Sequence, residues 1–411
     1  MPSRTGGPGP APRAHPIPLC VPNIGGNERP YIEECLNTGW VSSVGPFVER
    51  FERDFAAACG VPYAVATTSG TAALHTALLL AGVQPGDEVI LPSLTFTAPA
   101  NAVRYVGAWP TFIDVDQDYW QLDPGELRAF LRDDCRVSRG ELHNRHTGRR
   151  VVAVLPVDIL GHPCDLPAIQ KITEQYGLAM VEDATESLGA LCRGKPLGQW
   201  SRLTCFSFNA NKVMTTGGGG MLVTDDPQLA QRARYLTTQA KDDPLEFVHH
   251  EIGYNYRLTS VQAALGCAQL ERLPAFVATK RRIATRYAEA LEELPGIQPM
   301  KEAPWATASY WMYTIPVDAE RCGTDSRSLR KALAASNIET RPLWQPLHLS
   351  PAHRESFARS CPVASRVNRL ALSIPCSTSL TEEEQRRVIR ALQQEVAGDR
   401  PNVEIQPATG A

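Results

Sequence analysis

The chain has 411 residues, of which 43% are hydrophobic and 21% charged, with a formal net charge of −3. This balance fits a globular protein of two or three domain-sized units and excludes a global basic field for nucleic acid. No run approaches the ~18 uninterrupted apolar residues of a membrane helix, and eleven cysteines without CxxC spacing suggest free thiols rather than a disulfide framework.

Residues 1–14, MPSRTGGPGPAPRA, are rich in Pro and Gly and read as a disordered tail. No apolar leader opens the chain, and together with the cysteine usage this predicts a reducing, cytoplasmic setting. From residue 60 strand and helix patterns alternate. Tyr63–Thr67 reads as a strand, Thr71–Ala81 as an Ala/Leu-rich helix, Glu88–Pro92 as the next strand and Ala98–Val106 as the next helix. Thr111–Val115 is another strand, and Asp133–Arg150 reads as an exposed insertion or hairpin. Val151–Val157 and Leu178–Val181 are continuous apolar runs, and Thr204–Phe208 with Gly220–Thr224 reads as a strand pair around a loop. The alternation predicts an α/β layer structure with a mostly parallel, doubly covered sheet. After Leu258 the pattern turns helical over Thr259–Leu273 and Ala275–Leu294, and a smaller unit starts near Met312. The predicted organisation is a large unit over 15–270 with an N-terminal arm, a small α/β unit over 271–396, and a flexible tail over 397–411.

Chemistry concentrates around the loop. Lys212 lies in Ser207-Phe208-Asn209-Ala210-Asn211-Lys212, ahead of the run Gly217–Gly220. Upstream, Met180-Val181-Glu182-Asp183 ends an apolar run in two carboxylates. A lysine and a buried acid in one pocket are what pyridoxal phosphate requires: the amine for a Schiff base, the acid to keep the pyridine nitrogen protonated. Thr67-Thr68-Ser69-Gly70-Thr71 is a strand-to-helix turn that, taken alone, reads first as plain helix capping; upstream of Asp183 and Lys212 its free amides suit a cofactor phosphate. Phe96 can stack on a flat heteroaromatic ring or pack in a core. Glu186 can meet a phenolic oxygen or simply favour a helix N-terminus, and Ser207 can donate to a phosphate. Asn255 and Arg257 lie in Gly253-Tyr254-Asn255-Tyr256-Arg257, which reads as an anion contact or as the start of a helix with a structural arginine. Gly217–Gly220 is not followed by GK[ST], so it is no nucleotide-triphosphate loop. Cys135, His143 and His146 do not have zinc-site spacing, and no metal is expected. No GxSxG elbow supports a serine hydrolase.

Taken together, GWVSSVGPFVERFE (39–52), TSGTAAL (68–74), PGDEVILPSLTF (85–96), VEDATESLGA (181–190), CFSFNANKVMTTGGGGM (205–221) and GYNYRLT (253–259) carry a family resemblance. The chain resembles the DegT-type sugar-nucleotide aminotransferases of fold type I, over Pro18 to about Thr378. Through LTTQAKDDP (236–244), TRPLWQPLHLS (340–350) and the TTGGGG form it is most similar to the legionaminic acid and bacillosamine branch. That branch aminates C4 of a nucleotide-linked 4-keto-6-deoxy-2-acetamido-hexose.

The resemblance implies a role at each matching position. Lys212 is the Schiff-base lysine, Asp183 the partner of the pyridine nitrogen, Glu186 the group facing the phenolic oxygen and Phe96 the stacking ring. Gly70, Thr71 and Ser207 become phosphate contacts. Asn255 becomes a phosphate contact supplied by a second subunit, so a homodimer with shared sites follows. The implied cofactor is pyridoxal 5′-phosphate, cycling with its amine form, and the implied partners are glutamate and a UDP- or GDP-linked 4-keto sugar. Residues around Trp40–Gly45, Trp305–Trp311 and Trp344–His348 are expected to meet that sugar nucleotide. Two alternatives accompany this expectation: amination of another keto sugar nucleotide, of the perosamine type, and a non-catalytic regulator on the same fold. One departure stands out, since Asp158 occupies the place where relatives usually carry histidine.

Overall fold

The structure, a computed structural model, describes residues 15–243 and 245–397. The expected tails lie outside these residues, except that position 397 ends the helix Glu382–Ala397.

Seven strands build the main sheet: Tyr63–Thr67 (β1), Glu88–Pro92 (β2), Trp109–Ile113 (β3), Val151–Val154 (β4), Ala179–Asp183 (β5), Leu203–Ser207 (β6) and Gly220–Thr224 (β7). Their order is β1-β7-β6-β5-β4-β2-β3. β7 is antiparallel to both neighbours, and the other pairings are parallel. Every residue of β2 and β7 is buried, as a sheet covered on both faces demands, which is why these strands read as apolar runs without alternation. The helices that cover the sheet start on local signals: Ser69 caps Gly70–Leu80, and Asp165 caps Leu166–Tyr176, which ends on Gly177 at φ 65°.

β3 begins two residues earlier than its pattern predicts, because Trp109 pairs in register with Glu88 and its N–H donates to Asp87 O at 2.8 Å; further contacts follow at its other end. The Phe112 N–H donates to the Phe357 carbonyl, and the Asp114 carboxylate just beyond the strand accepts from Val363 and Ala364 N–H at 2.8 and 2.9 Å. Asp114 therefore satisfies the start of the helix Pro362–Leu370 from far away in sequence. The segment over 133–150 is a hairpin of Cys135–Ser138 and Glu141–Asn144. Its base is not solvated: fully buried Glu88 accepts from Thr111 Oγ1, Asn144 Nδ2 and Thr147 Oγ1 at 2.9, 2.9 and 2.6 Å.

A second sheet of Tyr313–Pro316 (β8), Arg341–Pro342 (β9) and Ala371–Ile374 (β10) has the order β8-β10-β9, all antiparallel. The helix Leu273–Leu291 links the two sheets in sequence. The N-terminal arm is bonded to these later elements: Ile17 bridges Ile338, Leu19 N–H donates to Glu339, and Val21 N–H donates to Ser377 Oγ. All eleven cysteines are free. No helix among the described residues is long and apolar enough to cross a membrane.

Candidate active site

The carboxyl ends of the parallel strands converge on one open cleft of about 400 Å³, where α/β sheets place their ligands. β5 delivers Asp183 beneath it, 1% exposed, with Oδ1 accepting the Thr185 N–H at 3.0 Å. Burial raises this carboxyl above the usual range, and the Thr185 contacts and the Lys212 charge oppose the rise. β6 delivers Ser207. The rings on either side of it, Phe206 and Phe208, pack on Phe55 at centroid distances of 5.1 and 5.3 Å, so strand alternation turns Ser207 toward the cleft.

The return from β6 to β7 is tied rather than floppy. Phe208 N–H donates to Gly219 O at 2.9 Å, Thr216 N–H donates back to Phe208 O at 3.0 Å, and Gln262 Nε2 holds Gly218 O at 2.7 Å. Within this loop Lys212 donates its N–H to Asn209 O at 3.0 Å. Its side chain is only 14% exposed. The ammonium lies 3.5 Å from Glu186 Oε1 and 4.0 Å from the centroid of the Trp311 ring. Trp311 is fixed in turn, because its Nε1 donates to Asn211 O at 2.6 Å.

The opposite wall is the first turn of Gly70–Leu80. Ser69 accepts from Ala72 N–H at 3.1 Å, which leaves the leading amides free toward the cleft. This turn has no room to spare. A Cβ on Gly70 would stand 2.8 Å from Ser207 Cβ, and one on Gly220 would stand 2.4 Å from the Ser69 carbonyl carbon and oxygen. Gly220 pairs with both Thr67 and Ser207, so β7 presses the helix start against the sheet. Gly220→Ala is therefore expected to cost about 1–3 kcal/mol through overpacking against backbone. Thermal unfolding and the rate of cofactor release measure the two halves of that effect.

Glu186 is 5% exposed and also accepts the Leu160 N–H at 2.9 Å. Burial raises its carboxyl to about 7 against the pull of Lys212. Behind it lies a second acid pair. Asp158 and Glu182 are both fully buried, and each keeps one oxygen without a partner among the described residues. Asp158 gives its other oxygen to Cys164 N–H at 2.8 Å, and Glu182 gives its other to Thr204 Oγ1 at 2.8 Å. Burial raises both carboxyls; Glu182 raises Asp158 further, whereas Asp158 lowers Glu182, so the proton of the pair belongs on Asp158. The Asp158 N–H bonds to Asp183 O at 3.0 Å, so this residue braces the strand end without lining the cleft.

The raised carboxyl at 186 makes a signed prediction. Its folded pKa of about 7 lies above the unfolded 4.5, so its contribution is fully present below 4.5 and is lost as pH rises through 7. In cofactor-free protein this amounts to about 3 kcal/mol across that window. Denaturant unfolding at pH 5 and pH 8 should show a smaller difference for Glu186→Gln than for the parent.

Six of the predicted site residues line the cleft together: Gly70, Thr71, Phe96, Glu186, Ser207 and Lys212, with Asp183 beneath. Phe96 is 51% exposed, with its ring 6.5 Å from that of Trp344, so it is not a core residue. Asn255 is exposed and pairs its backbone with Thr238, away from the cleft of its own chain. Sequence reasoning missed Thr185, Asn209 and Asn211 as lining residues, and it missed the contact of the Trp311 ring with the lysine. Only their positions beside Asp183 and Lys212 could have marked the first three.

A largely buried amine in an open cleft, a buried acid below it, an open aromatic face and a cradle that any Cβ would fill together fit a flat, phosphorylated pyridine aldehyde. The sequence decides the matter, matching the DegT/DnrJ/EryC1/StrS aminotransferase family over residues 22–393. The chain belongs to this family. It is a sugar aminotransferase, and the cofactor of its family is pyridoxal 5′-phosphate. The aminotransferase is 38% identical over 380 residues to GDP-perosamine synthase of Caulobacter vibrioides, covering 92% of this chain and 98% of that one. It is also 38% identical to the putative pyridoxal phosphate-dependent aminotransferase EpsN of Bacillus subtilis, covering 92% and 95%. Among solved structures it superposes on the aminotransferase TlmJ from Streptoalloteichus hindustanus with a TM-score of 0.84 and 31% identity, over 93% of this chain and 99% of that one. These relatives support the sugar-aminotransferase expectation but do not single out the legionaminic acid and bacillosamine branch.

Proposed function

We propose that this aminotransferase moves an amino group from glutamate to C4 of a GDP-linked 4-keto-6-deoxyhexose. The position of the Lys212 amine, between the Gly70–Ser207 cradle and the Trp311 ring, is the observation that carries the chemistry. Two relatives named GDP-perosamine synthase, from Caulobacter vibrioides at 38% and Escherichia coli O157:H7 at 36% identity, carry the substrate. They favour the perosamine-type alternative over the acetamido sugar expected from the TTGGGG form.

When bound, the cofactor supplies an electron sink for the breaking C–H bond of the amino donor. Gly70, Thr71 and Ser207 would bind its phosphate, Phe96 would cover its ring, and Asp183 would hold the proton on the ring nitrogen. Lys212 Nζ would anchor the cofactor and, as a free amine, would take the proton from the donor Cα. In the second half-reaction the same nitrogen returns a proton to C4 of the sugar. Glu186 orients the amine and faces the phenolic oxygen. Trp311 excludes water from one side of Nζ.

Asn255 completes the phosphate site from a second copy of the chain. Its exposure outside its own cleft supports this, and so do its neighbours Leu245, Phe247 and Ile252, which are 85%, 65% and 82% exposed. The test is a panel of 4-keto sugar nucleotides, each made in situ by its dehydratase, with glutamate as donor and product read by mass. Amination of the GDP-linked sugar is expected. Turnover confined to a UDP-linked acetamido sugar overturns the substrate. Sedimentation of the holoenzyme as a monomer overturns the shared site.

A further inference from the structure

Where the N-terminal arm meets the second sheet, three side chains that transamination does not use lie together. The Leu19 carbonyl accepts the Cys376 N–H at 2.9 Å and Val21 N–H reaches Ser377 Oγ, so the segments carrying Cys20 and Cys376 run side by side. Lys280, 2% exposed, lies with Nζ 3.7 Å from the sulfur of each cysteine and donates to Trp311 O at 2.8 Å. No carboxylate forms an ion pair with this buried cation among the described residues, so the sulfurs are its polarisable partners.

A buried ammonium without an acid favours negative charge on a neighbouring thiol. The Cys20 thiol is accordingly lowered to about 6, first by a hydrogen bond from Cys376 and further by Lys280, against the effect of burial. Cys376 moves the opposite way, as a donor to that thiolate should. Burial instead pushes up the thiols of Cys59, Cys135, Cys192 and Cys267. Cys20 is also the half-buried exception, since the other ten cysteines are buried. The site thus holds a nucleophilic sulfur, a second thiol on the same ammonium, and a fixed cation.

We propose that Cys20 and Cys376 form a peroxide-sensitive modification site that closes to a disulfide behind the active-site lysine. The Cys20 thiolate attacks one oxygen of hydrogen peroxide, the O–O bond breaks, and a sulfenic acid forms as hydroxide leaves and is protonated to water. The Cys376 sulfur attacks the Cys20 sulfur, the S–O bond breaks, and the second water departs with the Cys376 proton. Two thiols lose two electrons and the peroxide gains them, which gives one disulfide and two waters. The bridge is placed to reach catalysis. Cys20 Sγ lies 3.3 Å from the carbonyl oxygen of Asn211, which precedes Lys212, and Cys376 Sγ lies 3.4 Å from that of Trp311, whose ring covers the Lys212 amine. Closing the bridge to bonding distance moves both sulfurs relative to these two carbonyls.

The experiment treats purified holoenzyme with hydrogen peroxide, alkylates it, and maps peptides without reductant. A Cys20–Cys376 linked peptide two hydrogens lighter than its parts is expected. It should appear together with a fall in turnover of about tenfold, and a phosphine reductant should reverse both. Cys20→Ser and Cys376→Ser, each nearly isosteric, should abolish the link and the reversible loss. Sulfinic acid at Cys20 without any link overturns the proposal, and so does unchanged reversible inactivation in Cys376→Ser. The mass readout does not depend on which sugar is the substrate.

Discussion

Lys212→Ala is expected to lower transamination by about 10²–10⁴-fold or more, since removal of a positioned proton-transfer group alone spans that range. The loss has two sources that one assay cannot separate. The variant lacks the covalent anchor for the cofactor, and it lacks the nitrogen that moves the proton. Absorbance of the bound cofactor reports the first, and should lose its visible band. Turnover after adding a small primary amine reports the second, and partial rescue is expected because Trp311 and Glu186 leave a hole of amine size between them. Folding should survive, since the loop is held by Thr215, Thr216 and Gln262 rather than by the lysine side chain. A variant with parental spectrum and parental turnover would remove Lys212 from the mechanism.

Asp183→Asn is the second large effect. The substitution keeps shape, and the amide oxygen can still accept the Thr185 N–H that Oδ1 now takes at 3.0 Å. What disappears is the negative charge under the cleft. A neutral amide does not hold a proton on the ring nitrogen, so the electron sink weakens at the step where the C–H bond breaks. A fall in kcat of about 10²–10⁴-fold is expected, with a melting temperature close to the parent. Equal losses in kcat and in thermal stability would instead assign Asp183 a structural role.

Much of this site is visible in the sequence because its chemistry is local. Lys212 lies within a few residues of Ser207, and Asp183 and Glu186 are on one strand end, so strand and turn patterns bring them near each other. Gly70 and Gly220 are legible as glycines, but not their reason: the contact between Gly220 and Ser69 exists only once β7 has inserted between β1 and β6. Trp311 is the opposite case. It lies far along the chain, and nothing local in Tyr310-Trp311-Met312 says that its ring meets a lysine a hundred residues earlier. The Asp158–Glu182 pair is hidden for another reason. Two acids in separate apolar runs look like errors in a core until the parallel pairing of β4 and β5 brings those strand ends together. The hairpin over 133–150 reads as surface by composition, and its anchors on Glu88 become visible only in three dimensions.

Trp311 has one more consequence. Its ring leans on the lysine of one sheet while its backbone carbonyl is held by Lys280 from the helix that leads to the other. Assembly of the two halves and arming of the amine are therefore one event. A fragment that keeps all seven strands of the main sheet but ends before Trp311 would own every cofactor-binding residue of its chain and still present a slack, wet lysine. In heating, the same linkage sets an order: the C-terminal half need only loosen, not melt, for turnover to stop. Inactivation should then run ahead of the loss of helical signal.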